Sequence, residues 1–312
     1  MRLTNPEPFQ APGFLFEVHP IHFTGVSIMK DAKLVLKANP DHQSIVSLSK
    51  EIAIGGQEIV IIGGPCAVES LTQMETVARE LKSAPIQALR GGVYKPRTSP
   101  YAFQGAGLEG LEILASVSKR YDLPVVTEVM AISQIKEISA YADMLQVGSR
   151  NMQNFDLLKA LGQAGKPILL KRGLAATIEE FVMAAEYIMS HGNPNVVLCE
   201  RGIRSFDSYT RNVLDLGAVV ALKQLTHLPV IVDPSHAAGR RELIADLSRA
   251  AIACGADGLI VESHPEPEKS VSDAQQALSI EAMTQLVRSL KPVAEAVGRK
   301  TYGVQCPQFA IV

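Results

Sequence analysis

The sequence lacks several features that mark other classes of protein. No apolar run reaches the roughly 18 residues that a membrane span needs, and no charged-then-apolar secretory segment opens the chain. The formal net charge is −2, without the positive surplus expected of a nucleic-acid-binding protein. The four cysteines are widely spaced and include no CxxC pair, which indicates reduced thiols rather than a disulfide framework. These absences predict a cytoplasmic protein that binds neither nucleic acid nor membrane.

The sequence does contain a regular alternation of short apolar runs and longer amphipathic segments. The chain has 312 residues and is 47% hydrophobic, which is enough for a large core. Eight runs occupy residues 58–62, 86–89, 124–127, 144–147, 167–170, 195–198, 229–232 and 258–261. Mostly apolar runs are typical of parallel strands buried on both faces. Eight strand–helix units in about 240 residues predict a (β/α)8 TIM barrel, with a doubly wound open sheet as the alternative α/β fold.

The alternation divides the chain into three parts. Residues 1–55 form an N-terminal extension, in which 33–37 and 44–48 are predicted short strands and the second pairs with 51–54 in a β-hairpin. This extension is too short for a full regulatory domain. Residues 56–298 are expected to form the (β/α)8 barrel, and 299–312 a C-terminal tail.

Each predicted strand is followed by a polar or ionisable side chain. The carboxyl ends of all strands meet at one rim of a TIM barrel, so these side chains are expected to share a site. Basic groups follow the second, fourth, fifth and sixth strands: Arg90, Lys95, Arg150, Lys171 and Arg201. Such a cationic set suits phosphate and carboxylate groups.

A second set at the predicted rim has the character of metal ligands. It comprises Cys66, His236, Glu262 and Asp273. One soft, one borderline and two hard donors suit a divalent Mn, Fe, Co or Zn ion. Taken singly, Cys66 reads as a small buried hydrophobe and His236 as a capping residue. Closure of the barrel places the eighth strand beside the first, which favours a joint Cys/His/Glu site.

The segment 89–105, LRGGVYKPRTSPYAFQG, is the most informative single stretch. It places Arg90, Lys95 and Arg97 in one short loop after a buried strand, where like charges repel each other. This arrangement indicates a small, multiply charged anion among them.

Seven motifs together carry a family resemblance. They are GGPCAVES at 63–70, LRGGVYKPRTSPYAFQG at 89–105, QVGSRNMQN at 146–154, LLKRG at 169–173, CERGIR at 199–204, DPSHAAGRR at 233–241 and VESHPEPEKSVSDAQQAL at 261–278. This set resembles 3-deoxy-D-arabino-heptulosonate 7-phosphate (DAHP) synthase, in the short, barrel-centred branch of class I. The resemblance runs from about residue 55 to about residue 297.

The resemblance implies a role for each matching residue. The metal ligands would be Cys66, His236, Glu262 and Asp273. Phosphoenolpyruvate would be held by Arg90, Lys95, Arg150, Lys171 and Arg201, with His236 nearby. The sugar phosphate would lie against Lys95, Pro96, Arg97 and Thr98. One departure is Ala274, where the family often has glycine after the last metal ligand, and this weakens the assignment of Asp273 most.

The resemblance also implies the reaction: an aldol-type condensation of phosphoenolpyruvate with erythrose 4-phosphate and water, the first step of the shikimate pathway to aromatic amino acids. Lys95, His236 and Cys66 are the expected catalytic residues, and Lys95 is the first candidate for proton transfer, with Glu128 and a metal-bound water as alternatives. A homo-oligomer, dimer or tetramer, is expected, and a chorismate mutase could act in trans.

Two other functions remain open at this point. The sister enzyme makes 3-deoxy-D-manno-octulosonate 8-phosphate from arabinose 5-phosphate, and its loop usually reads KANRS where this chain has Lys95-Pro96-Arg97-Thr98. The loop therefore favours the four-carbon sugar. A catalytically silent barrel that only binds sugar phosphates is the second alternative, because fold alone does not establish activity.

Overall fold

The computed structural model describes residues 29–97 and 99–303. Of these residues, those from Ala32 onward belong to one compact unit. Among the described residues, no helix is both long enough and apolar enough to cross a membrane.

Eight parallel strands close into a barrel. They are β3 (Glu58–Gly64), β4 (Ala88–Arg90), β5 (Val125–Glu128), β6 (Met144–Val147), β7 (Ile168–Lys171), β8 (Val196–Glu200), β9 (Val230–Val232) and β10 (Gly258–Glu262). Each pairs with the next, and β10 pairs back onto β3 with Gly258 opposite Val60 and Glu262 opposite Gly64. That last pairing confirms the predicted (β/α)8 barrel and excludes the open sheet.

One or more helices follow most of the strands along the chain. They are α1 (Leu71–Ser83), α2 (Gly107–Tyr121), α3 (Ile135–Ser139), α4 (Phe155–Leu161), α5 (Ile178–Ser190), α6 (Leu216–Leu225), α7 (Pro234–Ala238), α8 (Arg241–Ala253) and α9 (Ile280–Ala296). N-terminal capping residues mark where several of these helices begin. Ser70 caps α1 by accepting from the backbone N–H of Gln73, and Thr177 with Glu180 forms a capping box on α5.

A two-stranded hairpin precedes the barrel. β1 (Val46–Ser47) pairs antiparallel with β2 (Ala53–Ile54). Val46, Leu48 and Ile54 pack in one cluster with apolar side chains of the barrel strands. Because the hairpin leads directly into β3, it covers apolar surface at the amino end of the barrel. A last short strand, β11 (Lys300–Thr301), pairs with the start of β3.

The segment 33–37 forms a single bridge, between Leu36 and Thr226, instead of a strand. The side chain of Glu186 on α5 explains this difference. Its carboxylate accepts hydrogen bonds of 3.0 Å from the backbone N–H groups of residues 33, 34 and 35. Those donors are therefore satisfied by a side chain and are not available to a neighbouring strand.

Candidate active site

The polar residues predicted to share a rim do so. Arg90, Glu128, Lys171, Glu200 and Glu262 are each the last residue of a barrel strand. Parallel strands bring these ends together at the carboxyl face, where TIM-barrel enzymes carry their active sites.

Four potential metal ligands converge at this face. The donor atoms of Cys66, His236, Glu262 and Asp273 all lie within 4.8 Å of one another. The Nε2 atom of His236 is 3.3 Å from Oε1 of Glu262, and Sγ of Cys66 is 3.2 Å from Oδ2 of Asp273. We refer to these four residues as the ligand cluster.

The segment after β3 positions Cys66. Gly64 has a φ of +140°, and a Cβ there would lie 2.3 Å from the carbonyl oxygen of Arg90. Only glycine allows this close approach of two adjacent strands. The chain then turns at Pro65 and buries the Cys66 thiol, whose Sγ lies 3.1 Å from Oγ of Ser272.

Asp233 positions His236. It accepts from the backbone N–H of His236 at 2.9 Å and so caps the short helix α7. Its other oxygen lies 2.8 Å from Nδ1 of the His236 ring. This carboxylate–imidazole contact leaves Nε2 facing the ligand cluster, as second-sphere carboxylates do for metal-binding histidines.

The charges of the cluster suit a divalent cation. Burial raises the pKa of the Cys66 thiol to about 12, and burial lowers the pKa of His236. Burial alone would raise the pKa of Asp273, but the charges of His236 and Arg211 outweigh it and hold this pKa at about 2. Oε1 of Glu262 is buried and accepts no hydrogen bond in the described part of the chain, although Nη2 of Arg90 lies 3.1 Å from it in an ion pair. A neutral imidazole, two carboxylates and an ionisable thiol therefore fit a metal such as Mn, Fe, Co or Zn.

A cavity of about 420 Å³ opens beside the ligand cluster. His236 and Asp273 line it from one side. The cationic residues predicted from the sequence also line it: Arg90, Lys95, Arg97, Arg150, Lys171 and Arg201, together with Pro96. The two sets of residues therefore face one shared space, and Thr98 lies outside the described residues.

Several of these cations have unused donors. Nε and Nη1 of Arg90 and Nη1 of Arg201 are buried without a hydrogen-bond partner among the described residues. Arg90 also lies 3.1 Å from Glu262 through Nη2, and Lys171 forms a buried ion pair with Asp233. Buried polar groups are normally satisfied, so these free donors mark where an anionic ligand would bind.

Lys95 lies between the two groups. Its Nζ is 2.9 Å from both the carbonyl oxygen and the Sγ of Cys66. Burial alone would lower the pKa of Lys95, but the negative potential of Cys66, Glu128 and Glu262 outweighs it and raises that pKa. Lys95 therefore presents a buried ammonium group to the cavity.

The loop after β4 carries the remaining predicted residues. Nε of Arg97 donates to the carbonyl oxygen of Phe103 at 3.0 Å, and Nη1 of Arg150 donates to that of Pro96 at 3.3 Å. Arg97 and Arg150 thus help to hold the loop that contains Lys95 against the cavity.

Sequence reasoning missed part of the cavity wall. Arg211 and Asn212 line it, although they lie well beyond the end of β8. The loop after β8 folds back through a bridge between Ile203 and Val213, which returns these residues to the rim. No local sequence signal reports that return, because the bridge is a tertiary contact.

A closed barrel with a ligand cluster and a cationic cavity at its carboxyl end has the architecture of a (β/α)8 enzyme that acts on anionic substrates. Comparison with known proteins gives the family. The protein-family model for the DAHP synthetase I family matches residues 42–298, and the chain belongs to this family.

Individual relatives agree with the family. The chain is 48% identical over 275 residues to a phospho-2-dehydro-3-deoxyheptonate aldolase of Thermotoga maritima, covering 88% of this chain and 81% of that protein. A 2-dehydro-3-deoxyphosphooctonate aldolase of Syntrophotalea carbinolica is 31% identical over 270 residues, covering 80% and 96%. The crystal structure of the Thermotoga maritima DAHP synthase superposes with a TM-score of 0.85 and 47% identity, covering 88% of this chain and 80% of that one.

Proposed function

We propose that the residues around the cavity carry out the reaction of this family: phosphoenolpyruvate, erythrose 4-phosphate and water give DAHP and inorganic phosphate. The observation that carries this proposal is a cavity of about 420 Å³ that is lined both by His236 and Asp273 of the ligand cluster and by the cationic residues. Two anionic substrates repel each other in water, and closely placed cations offset this repulsion.

Phosphoenolpyruvate is assigned to the deepest cations. Arg90, Lys171 and Arg201 are nearly fully buried, and Arg90 and Arg201 have donors without partners. A planar guanidinium can bind a carboxylate or phosphate through two parallel hydrogen bonds. Arg150 adds a fourth cation from the more exposed side.

The sugar phosphate is assigned to the loop after β4. Pro96 and Arg97 line the cavity, and the family resemblance adds Thr98 to them. With the phosphate on this loop, we expect the aldehyde of erythrose 4-phosphate to point toward Lys95 and the ligand cluster. Support comes from the 48% identity to a relative named for the heptonate, against 31% for a relative named for the octonate.

The bonding changes follow from the substrates. C3 of phosphoenolpyruvate forms a bond with the aldehyde carbon of erythrose 4-phosphate, and the aldehyde oxygen takes a proton. Water adds at C2, and the bond between C2 and the phosphate oxygen breaks to release phosphate. Lys95 is the first candidate to supply the proton, because its ammonium lies between the residues assigned to the two substrates.

Cys66, His236, Glu262 and Asp273 would hold the divalent metal. When bound, the metal supplies a Lewis acid that polarises or orients the aldehyde oxygen. Mn, Fe, Co and Zn all suit this donor set.

Glu128 is the second candidate for proton transfer. Its carboxylate lines the cavity and accepts from Nε2 of Gln146 at 3.3 Å. A Cβ at Gly148 would lie 2.1 Å from Oε1 of Glu128, so the glycine leaves room for this carboxylate. Glu128 could thus exchange a proton with a substrate in the cavity.

The assembly and compartment belong to this proposal as well. The aromatic side chains of Tyr101 and Phe206 are fully exposed, as expected of surfaces that a second copy covers in a homo-oligomer. Cys66, Cys199 and Cys254 are free thiols, which suits the reducing cytoplasm. A chorismate mutase acting in trans stays a prediction from the family resemblance.

Phosphate release tests the proposal. The protein is stripped with a chelator and assayed with phosphoenolpyruvate plus erythrose 4-phosphate or arabinose 5-phosphate, before and after addition of Mn²⁺. We expect release only with erythrose 4-phosphate and Mn²⁺. The variant Glu262→Gln should lose this activity, and Glu268→Gln, at an exposed position away from the cavity, should keep it.

Each other outcome contradicts a particular part of the proposal. Release with arabinose 5-phosphate alone would identify the octulosonate enzyme. Binding of phosphoenolpyruvate without turnover under any condition would identify a silent barrel. Full activity of the chelated protein would contradict the metal assignment.

A further inference from the structure

We propose that Arg211 and Gln276 are positioning residues that select which oxygen of each carboxylate ligand faces the metal. This inference rests on the metal assignment made above. It concerns two residues that lie outside the ligand cluster and were not identified from the sequence.

Gln276 orients Glu262. The Gln276 side chain is 2% exposed, and its Nε2 donates to Oε2 of Glu262 at 2.7 Å. Its Oε1 accepts from Nη1 of Arg211 at 3.1 Å. These two partners together fix the amide, since a flipped amide would set oxygen against carboxylate and N–H against guanidinium.

The two carboxylate oxygens of Glu262 therefore differ in their hydrogen bonding. Oε2 is engaged by Gln276, whereas Oε1 is buried without a hydrogen-bond partner among the described residues. Oε1 lies 3.3 Å from Nε2 of His236 and forms an ion pair with Nη2 of Arg90 at 3.1 Å. Gln276 therefore holds Oε2 away from the ligand cluster and leaves Oε1, beside His236, as the oxygen that faces a metal ion.

Arg211 has the same effect on Asp273. Its Nη1 lies 3.3 Å from Oδ1 of Asp273, while Oδ2 lies 3.2 Å from Sγ of Cys66. Asp273 has a φ of +52°, a left-handed conformation that costs energy for a residue with a Cβ. Such a conformation persists only where neighbouring contacts hold it, and the Arg211 ion pair is one of them.

The loop of Arg211 is itself anchored to the helix that carries His236. The backbone N–H of Arg211 donates to the carbonyl oxygen of Ala238 at 2.9 Å, and Nδ2 of Asn212 donates to that of His236 at 3.0 Å. A Cβ at Gly239 would lie 2.6 Å from Cβ of Arg211. The loop of Arg211 and Asn212 thus contacts His236 through Asn212 and Asp273 through Arg211, and it is linked to Glu262 indirectly, through the bond between Arg211 and Gln276.

A direct role for Arg211 in substrate binding is the competing explanation, because Arg211 also lines the cavity. Gln276 separates the two explanations, since it contacts Glu262 and Arg211 without lining that cavity. A positioning role requires both variants to weaken metal binding. A substrate role requires Arg211 variants alone to raise KM.

Binding of Co²⁺ to the chelator-stripped protein tests the inference without turnover. Competition with a chelating dye gives the affinity, and the thiolate-to-Co²⁺ absorption band reports the Cys66 bond. We expect Gln276→Leu and Arg211→Met each to weaken Co²⁺ binding by about 10- to 100-fold and to alter the band. Arg211→Lys should restore part of the affinity.

Matched controls lie next to each position. Gln275→Leu removes an exposed amide one residue away, and Arg240→Met removes a surface arginine that pairs with Glu242. Both should bind Co²⁺ as the unaltered chain does. Thermal unfolding of the stripped variants checks that each is folded.

The outcomes separate this inference from the proposed function. If Cys66→Ser and His236→Ala abolish Co²⁺ binding while Gln276→Leu and Arg211→Met bind normally, the positioning role is wrong and the metal site stands. If none of the four variants weakens binding, the metal assignment itself is wrong. Should Gln276→Leu not fold, Arg211→Met decides alone, because its side chain is 41% exposed and its loss is tolerable.

Discussion

The buried carboxylate of Asp257 at the amino end of the barrel differs from the buried guanidinium groups at the carboxyl end in how many of its hydrogen-bonding positions are used. At the amino end, Asp257 is fully buried and fully satisfied. Its carboxylate accepts from the backbone N–H of Val230 at 2.8 Å, from Nζ of Lys223 at 2.7 Å and from Nη2 of Arg299 at 3.2 Å. At the carboxyl end, Nε and Nη1 of Arg90 and Nη1 of Arg201 are buried without hydrogen-bond partners among the described residues.

This difference separates stability from function. A satisfied buried carboxylate holds elements together, and removing it leaves several groups unpaired. A buried donor or acceptor without a partner costs free energy in the absence of a ligand. A ligand that supplies the missing hydrogen bond recovers this free energy when it binds. Variants at the amino end should therefore change unfolding, and variants at the carboxyl end should change turnover.

The largest expected effect is that of Lys95→Met. The variant removes the ammonium between the two proposed substrate positions but keeps a side chain of similar length, so kcat should fall by about 10²- to 10⁴-fold. Its melting temperature and metal content should stay close to those of the unaltered chain. Lys82→Met, an exposed position on α1, is the matched control for steady-state kinetics. Near-normal turnover of Lys95→Met would remove Lys95 from the mechanism.

Asp257→Ala should give the next largest effect, at the opposite end. The substitution leaves the N–H of Val230 and the cations of Lys223 and Arg299 without their carboxylate. Breaking a buried ion pair by removing one partner usually costs about 3 to 5 kcal/mol. Because both cations are part-exposed here, we expect the free energy of unfolding to fall by about 3 kcal/mol, the lower end of that range. Urea denaturation measures this loss, and Asp246→Ala on the exposed face of α8 provides the control.

The comparison between the two ends also predicts that kcat of the folded Asp257→Ala protein is unchanged. A large fall in kcat without a change in the unfolding curve would show that the amino end takes part in catalysis.

The smallest expected effect is a pH dependence of stability at His227. This residue, at the amino end, lies 2.7 Å from both Oγ of Ser44 and the carbonyl oxygen of Leu34, and its ring stacks on His42. Burial lowers the pKa of His227 from its ordinary value of 6.5. The unfolded chain therefore binds more protons just below pH 6.5, and the free energy of unfolding should decrease as the pH falls through this range.

His227→Gln should flatten this dependence by an amount smaller than the Asp257 effect. Urea denaturation between pH 5 and pH 8 measures it, with His191→Gln, at the end of α5, as the control. An unchanged slope in His227→Gln would assign the pH dependence to other groups.

The sequence predicted the barrel because its signals are local. Each strand appears as a short apolar run, and the polar residue at its end follows directly, as with Lys171 and Glu262. Strand order then places Cys66 and Glu262 near each other, because β10 pairs with β3. Predicting that these two residues are close required only the rule that the eighth strand of such a barrel pairs with the first.

The rest of the site depends on loops whose paths are tertiary. Asp273 lies well beyond the end of β10 in a left-handed conformation, and Arg211 returns to the rim through a bridge between two loop residues. The pairing of Gln276 with Glu262 likewise joins a loop to a strand end. Residue type and spacing do not encode such contacts. The sequence can therefore predict candidate metal ligands, but it does not predict Arg211 and Gln276, which hydrogen-bond to them.

Anomalous diffraction from crystals grown with Co²⁺ tests most directly the claim that the carboxyl end of the barrel binds a metal ion at the ligand cluster. We predict one strong Co²⁺ peak at the carboxyl end, bonded by Sγ of Cys66, Nε2 of His236, Oε1 of Glu262 and Oδ2 of Asp273, with Oε2 of Glu262 still on Gln276. A Co²⁺ peak elsewhere, or an absence of any peak at these four residues, would contradict the account.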